Sequence, residues 1–165
     1  MADLRKFRLY VWFLQLLLDY LHTYPIAEVV GQELGFRFPS ATGTQARVPD
    51  LGVVLNSNPV PLGEWDGEYR GIFDMCIEAV SDSTRSQIQR DTTTKFREYA
   101  QAGVTEYFIL DESPPNRANE TAFYRLGPNG IYQPIPAVNG VIRSSVLPFM
   151  LPLFGIHFSA NAYPL

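Results

Sequence analysis

The hydrophobic pattern begins with a long apolar segment that predicts a helix. Residues 5–22 are mainly aliphatic and aromatic, contain neither Gly nor Pro, and are followed by Pro25 as a stop signal. The predicted helix is apolar on most faces, so we expect it to be buried against a sheet or a second subunit. We expect a homodimer if this helix and the apolar tail contact a second copy, whereas the same surface can instead pack on the chain's own sheet.

The next segments predict strands separated by polar loops. Residues 26–38 carry β-branched and aromatic side chains around two glycines, which predicts a strand or a hairpin. A polar loop at 40–44 leads to a strand at 47–55. Residues 56–70 are rich in Asn, Pro and Gly and predict a surface loop.

The clearest strand pattern lies in the middle of the chain. Residues 72–80 form an apolar run of the length of a buried strand, interrupted only by two acidic residues. A polar helix at 84–102, ended by Gly103, leads to a second apolar strand at 104–111. Because a helix that joins two apolar strands normally makes them parallel neighbours, we expect these strands to pair in parallel.

The last third of the chain predicts further strands. Residues 121–126 and 131–135 flank a Gly-Pro-Asn-Gly turn and predict a hairpin, and a short strand is expected at 140–143. Together the elements predict the α/β class, with a mixed β-sheet flanked by helices. The length of 165 residues suits a single domain over 1–165.

Composition limits the classes of function. The formal net charge is −4, so the surface as a whole does not attract nucleic acid, and any phosphate contact has to be local. The single cysteine, Cys76, excludes a disulfide framework within this sequence. The first apolar run is shorter than the ~20 residues that a membrane span needs, and no cleavage site for a signal peptide follows it. We expect a cytoplasmic protein without a membrane partner.

Three charged residues are candidates for chemistry. Asp50 stands at the start of a strand, Glu78 lies inside the most apolar strand, and Lys95 belongs to the helix that follows it. A buried carboxylate without a partner is costly, so Glu78 needs a metal, a cation or hydrogen-bond donors nearby. Two carboxylates and strand carbonyls form the oxygen-only site that Mg²⁺ prefers, and a lysine there can assist an attacking water.

Each of these residues also has a structural interpretation. Asp50 can serve as a turn or cap residue, Glu78 can pair with an arginine or lysine, and Lys95 can be a solvated charge on a polar helix. Asp74 has the same parity as Glu78 along the strand, so it is either a polar residue at the strand start or a supplementary ligand. The tyrosines of this region, such as Tyr99, are interpreted as packing residues.

Four sequence blocks occur in a distinctive order. They are Arg47-Val-Pro-Asp50, residues 77–84, Asp91-Thr-Thr-Thr-Lys95, and residues 99–111 with the core Tyr-x-x-x-Gly-Val-x-Glu-Tyr. In this order the blocks resemble the Uma-type putative restriction endonuclease family, from about the first helix to Leu153. The resemblance implies the restriction-endonuclease-like fold of the PD-(D/E)XK superfamily and metal-dependent hydrolysis of DNA.

The resemblance also implies roles for individual residues. Asp50, Glu78 and the backbone carbonyl of Ala79 match the metal ligands of the family, with Mg²⁺ or Mn²⁺ as the cofactor. Val80 stands where the superfamily usually has its lysine, which departs from the pattern. The resemblance implies that Lys95 supplies this amine from the following helix, so Asp50, Glu78 and Lys95 are the candidate catalytic residues.

Four further residues are candidates for supporting roles. Asp91 precedes Lys95 by one helical turn and shares its face, and Glu106 is a candidate for the mouth of the site. Arg85 and Arg90 are candidates for contacts with DNA phosphates.

The function expected from these observations is a metal-dependent DNA endonuclease that hydrolyses phosphodiester bonds. The alternative is a catalytically inactive nuclease-fold protein that acts as a dimeric interaction or DNA-binding module. The acidic charge balance, the apolar first helix and the substituted Val80 favour this alternative.

Overall fold

A computed structural model describes residues 4–40, 43–64, 67–80, 93–111, 121–148 and 150–152. We number its helices and strands in chain order: α1 (Leu4–Thr23), β1 (Ala27–Val30), β2 (Phe36–Ser40), β3 (Gly43–Arg47), β4 (Leu51–Leu55), β5 (Met75–Ala79), α2 (Lys95–Ala102), β6 (Glu106–Leu110), β7 (Ala122–Leu126), β8 (Tyr132–Pro134), β9 (Val141–Arg143) and β10 (Met150–Pro152). The predicted α/β class with a mixed sheet is confirmed.

The main sheet has six strands in the order β1-β4-β5-β6-β7-β8. β5 and β6 pair in parallel, as predicted, with Glu78 beside Ile109, and the other neighbouring strands of this sheet pair antiparallel. All five residues of β5 and of β6 are buried, because both faces of these central strands are covered. This burial explains why the sequences of β5 and β6 are nearly continuous apolar runs.

α1 covers one face of the sheet. Its buried side chains, Leu9, Phe13 and Leu17, recur every four residues and therefore form one stripe along the helix. The stripe packs in a core that includes Ile77 and Phe108. No helix in the described part of the chain is long and apolar enough to cross a membrane.

α2 and an aromatic cluster cover the other face. The core on this side combines Phe36 and Phe38 of β2 with Tyr99 of α2 and Tyr107 of β6. α2 ends where Gly103 adopts a left-handed conformation with φ 92°, and its N–H donates to the carbonyl of Tyr99 at 3.1 Å. This confirms the predicted stop, because glycine enters that conformation without a steric penalty.

The predicted segmentation before Asp50 is partly wrong. β1 and β2 belong to different sheets, since β1 pairs with β4 while β2 pairs with β3 in a separate two-stranded sheet. Three residues of the expected polar loop, Ser40, Gly43 and Thr44, instead belong to the paired strands of this hairpin, and Gly43 has φ 110°. Phe36 and Phe38 alternate with exposed residues, so β2 buries one face against α2 although β3 is polar.

Candidate functional site

Glu78 is a carboxylate inside the sheet with two side-chain partners. It lies in β5 on the face covered by α2 and is 1% exposed. Its Oε1 accepts a hydrogen bond of 2.7 Å from the Tyr99 hydroxyl, and its Oε2 lies 2.7 Å from Lys95 Nζ. The structure therefore satisfies the buried acid with one cation and one hydroxyl donor.

Both partners of Glu78 come from consecutive turns of α2. Lys95 is the first residue of this helix and Tyr99 follows four positions later, so their side chains lie on the same face. Lys95 is itself buried, with 8% exposure. The interpretation of Lys95 as a solvated charge is therefore wrong, and the interpretation of Tyr99 as a packing residue omits its polar contact.

Asp50 reaches the same place from the neighbouring strand. Leu51 of β4 pairs with Ile77 of β5, and continuing this antiparallel register by one residue places Asp50 opposite Glu78. Opposite residues in an antiparallel pair point to the same face of the sheet. Asp50 Oδ2 accepts a hydrogen bond of 2.8 Å from the backbone N–H of Ala79, which fixes the carboxylate at the end of β5.

Two further side chains that sequence reasoning missed bind Asp50. Lys6 of α1 lies with its Nζ 2.9 Å from Asp50 Oδ2, and Gln32 donates from Nε2 to Oδ1 at 2.6 Å. Lys6 is one turn before Leu9 on the buried face of α1, so a lysine on an otherwise apolar helix face was the available signal. Gln32, in the connection after β1, carries no comparable signal.

The electrostatic state of the site follows from burial and from the two acids. Burial, together with the charge of Asp50, raises the pKa of Glu78 to about 7 against the lowering effect of Lys95 and Tyr99. Burial and the Glu78 charge raise the pKa of the Tyr99 hydroxyl, which therefore stays a hydrogen-bond donor. Additional positive charge beside Glu78 would favour its ionised form.

An open cleft of about 560 Å³ gives access to these groups. Its wall contains Asp50 and Lys95, together with five other residues: Lys6, Gln32, Ala46, Arg47 and Val48. Arg47, at the end of β3, forms a two-point ion pair with Glu98 of α2. This pair attaches the β2–β3 hairpin to the helix that carries Lys95.

The cleft residues offer hard oxygen donors to a metal ion. The Asp50 and Glu78 carboxylates are adjacent, and Ala79 donates its N–H toward Asp50, so its carbonyl lies on the same edge of β5. In the described residues no group of three or more His, Cys, Asp or Glu side chains converges. Two carboxylates suit Mg²⁺, which usually keeps several waters when proteins bind it. The donor set fits such an ion.

Asp74 does not belong to this site. It lies four residues before Glu78, about 13 Å away along the strand. Its Oδ2 accepts hydrogen bonds of 2.8 Å from the Leu55 N–H and from the Asn58 amide. Asp74 therefore closes the far end of the β4–β5 pair, as expected of a polar residue at a strand start, and the idea of a supplementary ligand is wrong.

Glu106 is also remote from the cleft. Strand alternation places it on the α1 face of the sheet with Phe108, whereas Glu78 lies on the α2 face. Its carboxylate accepts hydrogen bonds from one side chain of β7 and from two that follow β9: Arg125, Ser144 and Ser145. The expectation that Glu106 stands at the mouth of the site is therefore wrong, because the parity of its strand turns it away.

Three other candidates fall outside the described residues. They are Asp91, proposed as a support for Lys95, and the two arginines proposed as phosphate contacts, Arg85 and Arg90.

Comparisons with known proteins identify the family and the fold of the chain. The model of the Uma2 family, described as putative restriction endonuclease, matches residues 5–153. The chain is also similar to the crystal structure of a putative nuclease belonging to DUF820 from Anabaena variabilis ATCC 29413, at 15% identity and a TM-score of 0.66. That similarity covers 95% of this chain and 82% of the other, and it establishes a common fold. No curated protein is significantly similar to the chain.

Proposed function

Because this chain belongs to the Uma2 putative restriction endonuclease family, we propose that it is a metal-dependent endonuclease that hydrolyses phosphodiester bonds in DNA. The observation that carries the proposal is the buried Lys95–Glu78 pair, 2.7 Å long, in a cleft whose wall also contains Asp50. A lysine and two acids from three different elements have no packing reason to converge, whereas phosphodiester hydrolysis uses all three.

Asp50, Glu78 and the Ala79 carbonyl are the proposed ligands of Mg²⁺ or Mn²⁺. The observation that favours them is the pair of neighbouring carboxylates, one of which has a pKa raised to about 7 by burial and by the charge of the other. When bound, the ion would supply Lewis-acid stabilisation and a water of lowered pKa.

The chain's own side chains position and neutralise the reacting groups. The N–H of Ala79 and the amide of Gln32 hold the Asp50 carboxylate, and the Tyr99 hydroxyl holds Glu78. Lys95 places a cationic amine at the cleft, where it can orient the attacking water and stabilise negative charge that develops on the phosphate.

DNA is the proposed substrate despite the net charge of −4. The cleft concentrates three cationic side chains, Lys6, Arg47 and Lys95, in one wall. Such a local arrangement can contact phosphates although the surface as a whole is acidic. We also propose a cytoplasmic location, in keeping with a buried cysteine that forms no disulfide.

Cleavage of a plasmid and of duplex oligonucleotides tests this function. We expect products with Mg²⁺ or Mn²⁺ and none with a chelator. Glu78→Gln and Lys95→Ala should each reduce the rate by about a hundredfold or more. Activity that survives both substitutions would refute the assigned roles.

The matched controls are exposed charged residues. One lies on the same helix as Lys95, and the other is a glutamate like Glu78. Arg97→Ala removes a charge from the exposed side of α2, and Glu28→Gln removes one from exposed β1. Both variants should retain the cleavage rate of the unaltered protein. A protein that binds no divalent ion and cleaves no DNA would instead support the inactive nuclease-fold module.

A further inference from the structure

Lys6 is placed by α1 so that its amine enters the cleft. It shares the buried face of the helix with Leu9 and Phe13, three and seven residues later. Asp50 lies beside this end of the helix, with Lys6 Nζ 2.9 Å from Asp50 Oδ2. The Lys6 side chain is 27% exposed and lines the cleft. The lysine is thus anchored at its stem and accessible at its head.

The Asp50 carboxylate is nearly saturated by donors. Its two oxygens offer about four acceptor positions. Three are used, by Gln32 on Oδ1 and by Lys6 and the Ala79 N–H on Oδ2. The Ala79 donor is fixed by the strand and Gln32 is neutral, so Lys6 is the donor that brings both a full charge and a flexible stem.

A metal cation that binds Asp50 therefore has to displace the Lys6 amine from the carboxylate. The metal ion and the Lys6 amine compete for the Asp50 carboxylate. Because both are positive and would lie within a few ångströms of each other there, they also repel each other. The other cations of the cleft wall are differently held, because Arg47 is bound by Glu98 and Lys95 by Glu78. Displacement from Asp50 would leave the Lys6 amine in a cleft open to an anionic substrate.

We infer that Lys6 is an exchangeable counter-ion: a divalent metal ion displaces its amine from Asp50, and the displaced amine binds a backbone phosphate of the nucleic-acid substrate in the same cleft. This inference rests on the proposed function, since it assigns Lys6 to the metal and substrate of that site. It predicts opposite effects of one substitution on two ligands, which a merely structural lysine would not produce.

The first measurement is calorimetric titration with Mn²⁺ in the absence of DNA. Removing the competing charge in Lys6→Ala should lower the Kd for Mn²⁺ by about tenfold or more. Lys6→Gln keeps the length of the side chain without the charge and should act in the same direction. Arg8→Ala is the control, because it removes an equal charge from an exposed position of the same helix and should leave the Kd unchanged.

The second measurement is duplex binding in Ca²⁺ by fluorescence anisotropy over a range of salt concentrations. Ca²⁺ is a suitable probe because it shares the oxygen ligands of Mg²⁺. Loss of one phosphate contact in Lys6→Ala should weaken binding and reduce the slope of log K against log salt by about one.

Mn²⁺ binding that is unchanged or weaker in both Lys6 variants, with circular dichroism showing folded protein, would overturn the inference. An unchanged salt slope for DNA would overturn it too. If the unaltered protein binds no divalent ion, the proposed function fails as well. If it binds the ion and cleaves DNA while Lys6→Ala fails to tighten Mn²⁺ binding, only the role of Lys6 fails.

Discussion

Lys95 Nζ lies 2.7 Å from Glu78 Oε2, and both side chains are at least nine-tenths buried although one starts a helix and the other lies in a central strand. The pair satisfies a carboxylate that the apolar environment disfavours. It also places an amine beside the proposed metal ligands from α2, while Val80 of the preceding strand segment packs in the aromatic core. Val80 is thus used here for packing.

Tyr99→Phe should impair the site without opening a cavity in the core. The substitution removes the hydroxyl that donates to Glu78 Oε1 and keeps the ring. We expect a loss of about 1 to 3 kcal/mol in the free energy of unfolding and a loss of about tenfold to a hundredfold in metal affinity or cleavage rate. Urea denaturation and Mn²⁺ titration measure the two effects.

Tyr132→Phe is the matched control for Tyr99→Phe. The Tyr132 hydroxyl donates to the carbonyl of Val104 at 2.7 Å, away from the cleft. This variant should lose comparable stability and retain metal affinity. Equal losses of metal affinity in both variants would show that Tyr99 acts through general stability alone.

The pH dependence of stability should reveal Glu78 when a chelator is present. Its pKa is raised in the folded protein from 4.5 to about 7, chiefly by burial, so between these values the folded state holds a proton that the unfolded state releases. The contribution of Glu78 to stability is therefore full below about pH 4.5 and is lost as pH rises through about 7, at about 1.4 kcal/mol per pH unit within that window.

Glu78→Gln isolates this contribution, because the other carboxyl groups titrate in both proteins. The difference in unfolding free energy between the unaltered protein and the variant should shift in favour of the variant as pH rises from 5 to 7. Urea denaturation at several pH values measures it. A difference that stays constant over this range would mean that Glu78 has an ordinary pKa.

The parts of the site that sequence predicted are those that local patterns encode. Glu78 stands out because it interrupts an apolar run, whereas Lys95 was assigned through the resemblance to the family, because a lysine on a polar helix has no distinctive signal of its own. The parallel pairing of β5 and β6 also follows from their apolar character and their helical connection. These features need no knowledge of distant contacts.

The missed parts depend on contacts between distant segments. Lys6 binds Asp50 only because α1 packs along the sheet with its first turn beside the start of β4. The β2–β3 hairpin was misread because β1 pairs with β4, which leaves β2 to pair with β3. A strand's partner is set by tertiary packing, so the β-branched and aromatic residues of 26–38 predicted strand structure and not which strands pair.

The Arg47–Glu98 ion pair should couple the hairpin to α2. Its side chains are 29% and 18% exposed, and the guanidinium contacts the carboxylate through two nitrogens. A double-mutant cycle with Arg47→Ala and Glu98→Ala, followed by urea denaturation, should give a coupling of about 1 to 2 kcal/mol. A coupling near zero would mean that the hairpin is held by its aromatic residues alone.

The exposed face of α1 predicts a homodimer. Leu4, Phe7, Val11 and Leu18 are 60%, 59%, 42% and 47% exposed, and their spacing of three, four and seven residues is that of a coiled-coil seam. We expect the seam to pair with α1 of a second copy in antiparallel orientation. That arrangement brings the basic first turns of one helix beside Asp19 and the C-terminal end of the other, where positive charge is favourable.

Light scattering coupled to size-exclusion chromatography tests this prediction by measuring the molar mass of the unaltered protein and of the variants Val11→Glu and Leu18→Glu. A glutamate at either position buries a charge in the seam and should convert the dimer to a monomer without unfolding it, because both side chains point away from the chain's own core. Ile131→Glu is the control, since Ile131 is 58% exposed in the β7–β8 turn, and it should remain dimeric. A monomeric mass for the unaltered chain at every concentration would mean that this face is covered by another segment or partner.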